Sequence, residues 1–340
     1  MLVVRMARYD DLDGLVALAK TSGGGLTTLP DDADLIAAKL EQVAATLQQN
    51  DHQKGLFWFV LEDTDQQNIV GVCGIDCAIG LDQPYYTYRV GTIVHASKEL
   101  DVYHEFPTLF LTNDHTGCSE LCSLYLHPDY RHSKIGALLS KSRFLFIAQN
   151  KTLFAEKLIA EMRGYLDDEG ISPFWEGLGR HFFDMDFSQA DYLSAMTDKQ
   201  FIAELMPRYP FYTNFLPQSA REVIGQVHKQ TLPARKLLEY EGFRYEGYVD
   251  IFDAGPTLEC YVDRVRAVRD SRLVRKFEME TQKAFPVLVS NTQVSDFRCG
   301  LLWPQAENYH AVNVKQLWQQ LHLSEQEKAR YVLLRRVAEL

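Results

Sequence analysis

The chain has 340 residues, a formal net charge of -11, and 46% hydrophobic and 24% charged residues. This composition is typical of a globular protein, and the length predicts one elaborated domain or two. The negative charge disfavours non-specific binding of nucleic acid or anionic membranes, and it fits a cationic substrate only weakly. No apolar run approaches about 18 residues, and Met1 leads directly into the strand-like LVVRM. The sequence therefore predicts a cytoplasmic protein without a signal peptide or a membrane span.

Six cysteines raise the question of a metal site. Two pairs have C-x3-C spacing, and His115 lies just before the second pair. Zinc sites usually have shorter cysteine spacings, and both pairs fall in apolar, strand-like sequence. We therefore expect free, buried thiols in a reducing compartment and no metal.

The first third of the chain alternates strands and helices. Residues 2–20 predict a short strand followed by a helix with Asp10 or Asp11 as its N-cap, and residues 31–49 predict an amphipathic helix. Between them, the three glycines of TSGGGLTTLP suit either a substrate lid or a plain connection. Residues 55–80 predict a β-hairpin. Residues 81–118, dense in tyrosine and histidine, read as an insertion that forms a substrate pocket or an exposed hairpin.

The stretch 120–151 predicts a strand, a tight turn and a helix. Apolar residues run to Leu126, His127-Pro128-Asp129 breaks the run, and apolar residues return at helical spacing from Ile135. A helix entered in this way directs unpaired N–H groups and the positive end of its dipole at one point. The turn is therefore suited to bind a phosphate or pyrophosphate.

The second half contains a pattern that occurs twice. A strand at 158–162 and a helix from Pro173 to Gly179 are followed about 65 residues later by a strand at 223–227 and a helix from Pro233 to Gly242. One interpretation is a duplicated half-fold. Residues 264–283 predict a charged stretch that leaves the core, and the remainder alternates strands with one helix, as in a small β-barrel-like appendage.

Several of these segments resemble the GCN5-related N-acetyltransferases. The turn sequence Arg-His-Ser-Lys-Ile-Gly (131–136) resembles their acyl-CoA loop, except that Lys134 replaces the preferred first glycine. Residues 234–243 resemble the helix that closes the acyl-CoA site. The resemblance implies an α+β acyl-CoA N-acyltransferase-like mixed sheet flanked by helices over residues 1–263, with insertions at about 81–118 and 152–220. Residues 264–340 would form the small C-terminal β-rich domain.

Longer strings resemble the bacterial arginine N-succinyltransferase family along nearly the whole chain. They include GGGLTTLPDD, YRVGTIVHASKEL, SPFWEGLGRHFFDMDF, IGQVH and YVDIFDAGPTLEC. The resemblance implies transfer of succinyl from the co-substrate succinyl-CoA to the α-amino group of L-arginine, which gives CoA and N2-succinyl-L-arginine in arginine catabolism. It also implies an oligomer and no permanently bound cofactor.

Proton transfer in such a reaction needs an acid or base at the thioester. His228 ends the predicted strand 223–227, and an unperturbed histidine titrates near neutral pH. A histidine at a strand end is often structural, but IGQVH matches the family motif whose histidine is taken as the proton donor. Glu161, acting through water, and Tyr240, as a donor to the thiolate, are the alternatives.

The ligand-binding residues follow from the same reasoning. The resemblance assigns Leu124 to succinyl-CoA, and the turn assigns Arg131, His132, Ser133, Lys134, Ile135 and Gly136 to the pyrophosphate. The succinyl carboxylate needs a guanidinium or hydroxyl partner, for which Arg89, Arg163 and Arg180 are candidates. The guanidinium of arginine needs an acid such as Asp114 or Glu120. Two alternatives remain at this point: an acyltransferase of the same fold acting on ornithine or another amine, and a non-catalytic acyl-CoA-binding protein.

Overall fold

The structure is a computed structural model that describes residues 1–22, 28–48, 55–196, 204–275, 286–302 and 314–334. The glycines of the predicted loop at 21–30 and the end of the charged stretch at 264–283 lie outside these ranges. Their predicted roles stay predictions.

Within the described residues, fourteen strands form one mixed sheet in the order β11-β14-β12-β13-β1-β2-β3-β6-β7-β10-β9-β4-β5-β8. Its strand pairs are antiparallel except for the parallel pair of β6 and β7 near its centre. The strands are β1 Leu2–Met6, β2 Leu56–Asp63, β3 Asn68–Asp76, β4 Thr87–Ser97, β5 Val102–Thr112, β6 Ser119–Leu126, β7 Lys157–Glu161, β8 Phe211–Tyr212, β9 Arg244–Val249, β10 Pro256–Tyr261, β11 Arg272–Val274, β12 Val287–Ser290, β13 Arg298–Leu302 and β14 Ala329–Leu333.

The helices lie between these strands, and the predicted α+β class is confirmed. They are α1 Leu12–Lys20, α2 Ala33–Gln48, α3 Ile135–Gln149, α4 Pro173–Gly177, α5 Arg180–Phe183, α6 Phe187–Met196, α7 Gln218–Glu222, α8 Leu232–Glu241, α9 Arg266–Asp270 and α10 Val314–Gln320.

The main core lies between α3 and one face of the sheet. Side chains alternate along a strand, so Leu158 and Ala160 of β7 and Leu258 of β10 point toward the core that contains the apolar side chains of α3. Ile159 points the other way and packs with Tyr85. The central strands therefore have two distinct faces, one apolar and covered by α3, and one on the side of Tyr85.

The predicted insertion at 81–118 is the long hairpin of β4 and β5. Its strands pair along their full length, and β4 joins β9 through the pair Tyr88 and Val249. A second core forms where the hairpin base meets the segment after β7, and it contains Tyr88, Phe174 and Trp175. The second predicted insertion, 152–220, includes β7. Since β7 lies at the centre of the sheet, any insertion in this region begins after β7.

Three expectations for the second half need correction. Residues 223–227 do not form a strand, since a helix ends at Glu222 and Val227 makes a single bridge to Gly164. The duplicated pattern also fails, because the first copy contains strand β7 at Lys157–Glu161 whereas the second has no strand at 223–227. Between 264 and 275 the charged stretch packs against the core, with Val265 and Ala267 buried. Between 264 and 275 five apolar residues alternate with five arginines, and the arginines made the stretch look solvent-exposed in the sequence.

The C-terminal strands extend the main sheet. β13 pairs with β1, and β12, β14 and β11 follow in turn toward one edge of the sheet. A separate small core forms around Leu317 and Trp318 of α10. The β-rich composition of this region is confirmed, whereas barrel-like closure is not seen among the described residues. The domain boundary at 263/264 stays a prediction.

Candidate active site

The central parallel strands separate soon after they meet. β6 and β7 pair only at Ser119 with Leu158 and at Glu120 with Ile159, although β6 continues for six more residues. Beyond Glu120, the edge of β6 that faces β7 is left without a strand partner in the described part of the sheet. The separation leaves backbone N–H and C=O groups of β6 available to an extended ligand.

A β-bulge lies in β6 at the level of this opening, in the pairing with β3 on the opposite edge of the strand. The pairing with β3 shifts register between Val72 and Gly74, and Ser123 has a φ of 53°. Trp58 donates to the Ser123 hydroxyl at 3.1 Å, and that hydroxyl donates to the Thr28 carbonyl at 3.1 Å. Bulges redirect the residues that follow them. The predicted succinyl-CoA residue, Leu124, comes directly after this bulge and is half-buried.

A buried arginine supports the bulged strand from α3. Arg143 is 1% exposed and donates to the carbonyls of Gly74 and Cys122 at 3.3 and 3.4 Å, as well as to the Ser140 carbonyl. Sequence reasoning missed this residue, because it lies within an otherwise apolar stretch. A guanidinium has enough donors to fix several carbonyls at once. Arg143 therefore holds the backbone of β3 and β6 in place beside the opening.

The predicted pyrophosphate loop lies between β6 and α3. Arg131 donates to the Leu126 carbonyl at 3.0 Å and lies over the Tyr125 ring, while His132 and Ser133 share a hydrogen bond of 3.1 Å. α3 begins at Ile135, so the six predicted loop residues lie at the N-terminus of a fifteen-residue helix. The structure brings these residues together as the sequence predicted. Their binding role stays a prediction.

Two consecutive residues of this loop adopt left-handed backbone conformations. Ser133 has a φ of 47° and Lys134 a φ of 63°. A side chain in this conformation costs about 1–2 kcal/mol, which explains the family preference for glycine at position 134. A Cβ at Gly136 would lie 3.8 Å from its nearest protein neighbour, Leu126. Protein packing therefore does not require this glycine, whereas close approach of a ligand would.

His228 lies at the carboxyl end of β7. Its backbone N–H donates to the Arg163 carbonyl at 2.9 Å, and its Nδ1 accepts from the Gln230 amide at 3.3 Å. Because Nδ1 accepts, the proton of the neutral ring lies on Nε2. Burial, Arg163 and Lys229 together lower the pKa of His228. The ring is therefore neutral near pH 7, and it carries Nε2–H as its donor.

Of the three arginines considered for the succinyl carboxylate, Arg163 is the one beside His228. It is half-buried, lies 3.5 Å from Asp191 and contacts the Phe187 ring. Burial raises the pKa of Asp191 to about 6. By contrast, Arg180 is exposed and pairs with Glu176 and Asp186. Arg89 is exposed on the hairpin beside Asp114.

On the face of the central strands opposite α3, acidic and hydroxyl side chains from three strands lie close together. Glu120 is paired in register with Ile159, and Glu161 with Thr257 of β10, which places all four side chains on this face. Burial, Glu161 and Glu120 raise the pKa of Tyr85 well above its ordinary value, and Tyr85 is within hydrogen-bonding reach of Glu161 and within electrostatic range of Glu120. We call Tyr85, Glu120, Glu161 and Thr257 the acidic face.

A buried ion pair borders the acidic face. His115 Nε2 lies 2.8 Å from one oxygen of Glu259, and Lys157 donates to the other at 2.7 Å. Although burial opposes the shift, hydrogen bonds from His115 and Lys157 lower the pKa of Glu259. The sequence analysis considered His115 only as a metal ligand beside Cys118. The alternation of Lys157, Ile159 and Glu161 along β7 was the available signal, because it places two charged side chains on one face of a central strand.

The alternative donor Tyr240 has a different environment. Its ring lies between Lys141 and Arg266, at 4.3 and 4.9 Å from the two cations. Both cations also bind Glu241, which is 0% exposed and accepts from the Ala267 amide. These contacts account for the position of the Tyr240 ring, which packs against the cations of a buried ion cluster. Its role as a thiolate donor stays a prediction.

All six cysteines are free thiols, and burial raises the pKa of Cys73 to about 11. The described ranges contain no group of three or more His, Cys, Asp or Glu side chains placed to hold a metal ion. In the part of the chain that the structure describes, every helix is too short or too polar to cross a membrane.

Comparison with known proteins gives consistent matches. The family model of the arginine N-succinyltransferase beta subunit matches residues 2–267. Arginine N-succinyltransferases of Enterobacter sp. (strain 638) and Escherichia coli (strain K12 / DH10B) are 55% and 53% identical to this chain over 306 residues, which are 89% of this chain and 89% of each relative. The arginine/ornithine succinyltransferase subunit AI from Pseudomonas aeruginosa is 34% identical, with a TM-score of 0.88 over 99% of both chains.

Proposed function

This chain belongs to the arginine N-succinyltransferase family, and we propose that it transfers the succinyl group of succinyl-CoA to the α-amino group of L-arginine. The products are CoA and N2-succinyl-L-arginine. The observation that carries the proposal is the opening between β6 and β7. Ser123 forms the bulge on β6, and His228 is hydrogen-bonded to Arg163, which follows β7.

The opening suits an acyl-CoA. The pantetheine arm carries amides that can pair with the free edge of β6 near Leu124, in the way that an added strand would. The pyrophosphate would lie on the first-turn amides of α3, where the helix dipole favours negative charge. Arg131 and Lys134 add positive charge there, and the missing Cβ at Gly136 permits close approach.

The reaction moves one proton from nitrogen to sulfur. As the α-amine attacks the thioester carbon, the nitrogen loses a proton and the carbonyl oxygen becomes an oxyanion. The carbon–sulfur bond then breaks, and the CoA thiolate takes up a proton. His228 Nε2–H donates a hydrogen bond to the sulfur as its negative charge develops, and on this ground we assign His228 as the catalytic donor at the sulfur. Because the neutral ring keeps its own proton, the proton that the sulfur finally takes up is the one lost by the nitrogen. Arg163, beside it, is suited to bind the succinyl carboxylate.

The test is release of free thiol from succinyl-CoA in the presence of L-arginine. L-Ornithine and acetyl-CoA serve as parallel substitutions. We expect the highest kcat/KM with succinyl-CoA and L-arginine. A higher value with L-ornithine would support the second acyltransferase hypothesis, and no release with any pair would support a non-catalytic acyl-CoA-binding protein.

We also infer that the protein acts in the cytoplasm as an oligomer. Apolar side chains are exposed on the β4–β5 hairpin and the segment near it, among them Tyr103 (64%), Phe110 (44%) and Phe215 (81%). Exposed apolar groups of this kind often mark contacts between protein chains. Sedimentation velocity of the full chain tests this inference: a single monomeric boundary at micromolar concentration would contradict it.

A further inference from the structure

We propose that Glu120 and Glu161 form the subsite that binds the guanidinium group of the acceptor. The proposal rests on the proposed function and deepens it, since it concerns the amine substrate of the same site. The proposed function gives neither residue a role: the catalytic donor is His228, and CoA binds at Leu124 and at the loop 131–136.

The two carboxylates are placed by the sheet itself. Glu120 lies at the last paired position of β6 before the strands separate, where its partner on β7 is Ile159. Glu161 lies two residues after Ile159 on β7. Both are half-buried, and Tyr85 is within electrostatic range of both of them. They therefore flank the start of the opening from its two strands. Glu161 is two residues before Arg163, whose carbonyl binds the backbone of His228.

Unpaired polar atoms at the same place indicate that the face is built for a ligand. Thr257 is 0% exposed, is paired in register with Glu161, and its Oγ1 has no hydrogen-bond partner among the described residues. In the same ranges, Nδ1 of His115 is also buried without a partner, and its ring lies 6.3 Å from that of Tyr85. Buried polar groups are nearly always paired. These atoms gain partners if a polar group or its water shell occupies the face.

A guanidinium matches this arrangement better than an ammonium does. It is planar, presents five N–H donors and can bind two carboxylates on different edges at once, whereas an ammonium is a compact point charge. The ionised carboxylates accept these hydrogen bonds and neutralise the cation in a half-buried setting.

Asp114, the other acid considered from the sequence, does not share this position. Its side chain is 47% exposed and accepts from the Tyr248 hydroxyl at 2.8 Å, with Arg89 at 4.0 Å. It lies at the hairpin base, outside the acidic face. Asp114→Asn is therefore the matched control for loss of one carboxylate.

The experiment measures binding and turnover separately. Affinity for L-arginine and for L-citrulline, its uncharged near-isostere, is determined by calorimetry on full-length protein saturated with CoA. Turnover is measured by thiol release with succinyl-CoA. The proteins are the wild type, Glu120→Gln, Glu161→Gln and Asp114→Asn, with melting temperatures recorded for each.

We expect the wild type to bind L-arginine at least about tenfold more tightly than L-citrulline, and each glutamine variant to lose about tenfold or more in arginine affinity. Affinity for L-citrulline and KM for succinyl-CoA should stay within about twofold, and Asp114→Asn should resemble the wild type. This pattern also separates a binding role for Glu161 from general-base catalysis, which would lower kcat for every acceptor.

Equal wild-type affinities for L-arginine and L-citrulline would overturn the proposal without recourse to any variant. Unchanged arginine affinity in both glutamine variants would overturn it as well. If L-arginine binds as expected but no thiol is released, the proposed reaction fails while the guanidinium subsite stands.

Discussion

Two polar clusters lie on opposite faces of the central sheet, and in the described structure they differ in whether they contain a buried polar atom without a partner. Behind the sheet, Glu241 accepts from Lys141, Arg266 and a backbone amide, so its charge is fully compensated. On the acidic face, Glu120 and Glu161 lie beside a buried hydroxyl of Thr257 that has no partner in the described structure. A compensated cluster fixes the fold, whereas an incompletely paired one indicates a place for a ligand.

The largest effect is expected at His228, whose backbone is held by Arg163 just after β7. His228→Ala should lower kcat by about 10²–10⁴-fold, because Nε2–H no longer stabilises the departing group. The melting temperature and CoA affinity should stay close to wild type, since the side chain is only half-buried. Thiol release and calorimetry with CoA check this. Full activity in His228→Ala would remove the residue from the mechanism.

The paired cluster should respond in stability instead. Glu241→Gln leaves Lys141 and Arg266 without a buried counter-charge, and we expect a loss of about 3–5 kcal/mol in the free energy of unfolding. Burial lowers the pKa of Lys141 even with Glu241 present, so the lysine is sensitive to this loss. Glu239→Gln, two residues earlier on the exposed face of α8, should cost less than about 1 kcal/mol. Equal urea midpoints for the two variants would contradict this account.

A smaller effect is expected in the CoA loop. Lys134→Gly relieves the left-handed backbone at this position and should stabilise the free protein by up to about 1 kcal/mol. It also removes a positive charge near the expected pyrophosphate, so KM for succinyl-CoA should rise several-fold. Lys134→Gln keeps the side-chain length and the strained backbone, and separates the two effects. A lower KM in Lys134→Gly would indicate that the lysine obstructs CoA.

The smallest effect concerns pH. Since the pKa of His228 is lowered, the neutral ring persists from about pH 6.5 upward and is lost only below that value. Protonation of Nδ1 breaks the hydrogen bond from the Gln230 amide that orients the ring. We therefore expect kcat/KM to fall on the acid side with a midpoint below about 6.5. Lys229→Gln removes one cause of the lowered pKa, so the midpoint should move upward by less than about one pH unit. A rate that rises as the pH drops below this range would mean that the imidazolium is the active form.

The sequence predicted the elements near the CoA loop well because their signals are local. Apolar spacing located β6 and α3, and the break at Pro128 located the loop between them. The segment 223–227 was misjudged because its apolar residues pack from a helix end and a turn, and strand and turn patterns are alike over five residues.

The acidic face was the least accessible part to sequence reasoning. Glu120, Glu161 and Thr257 belong to three strands that become neighbours only through the strand order of the sheet. Glu120 was considered as a guanidinium partner, but nothing in the sequence distinguished it from Asp114. The register of β6, β7 and β10 makes that distinction, because it sets which side chains share a face.

The most direct test is a crystal structure of the full chain with CoA and L-arginine bound. The account predicts the pantetheine arm between β6 and β7 with its amides on the backbone near Leu124. It places the α-amine toward His228 and the guanidinium within hydrogen-bond distance of Glu120 and Glu161. A CoA molecule bound outside this opening, or a guanidinium on other acids, would contradict it.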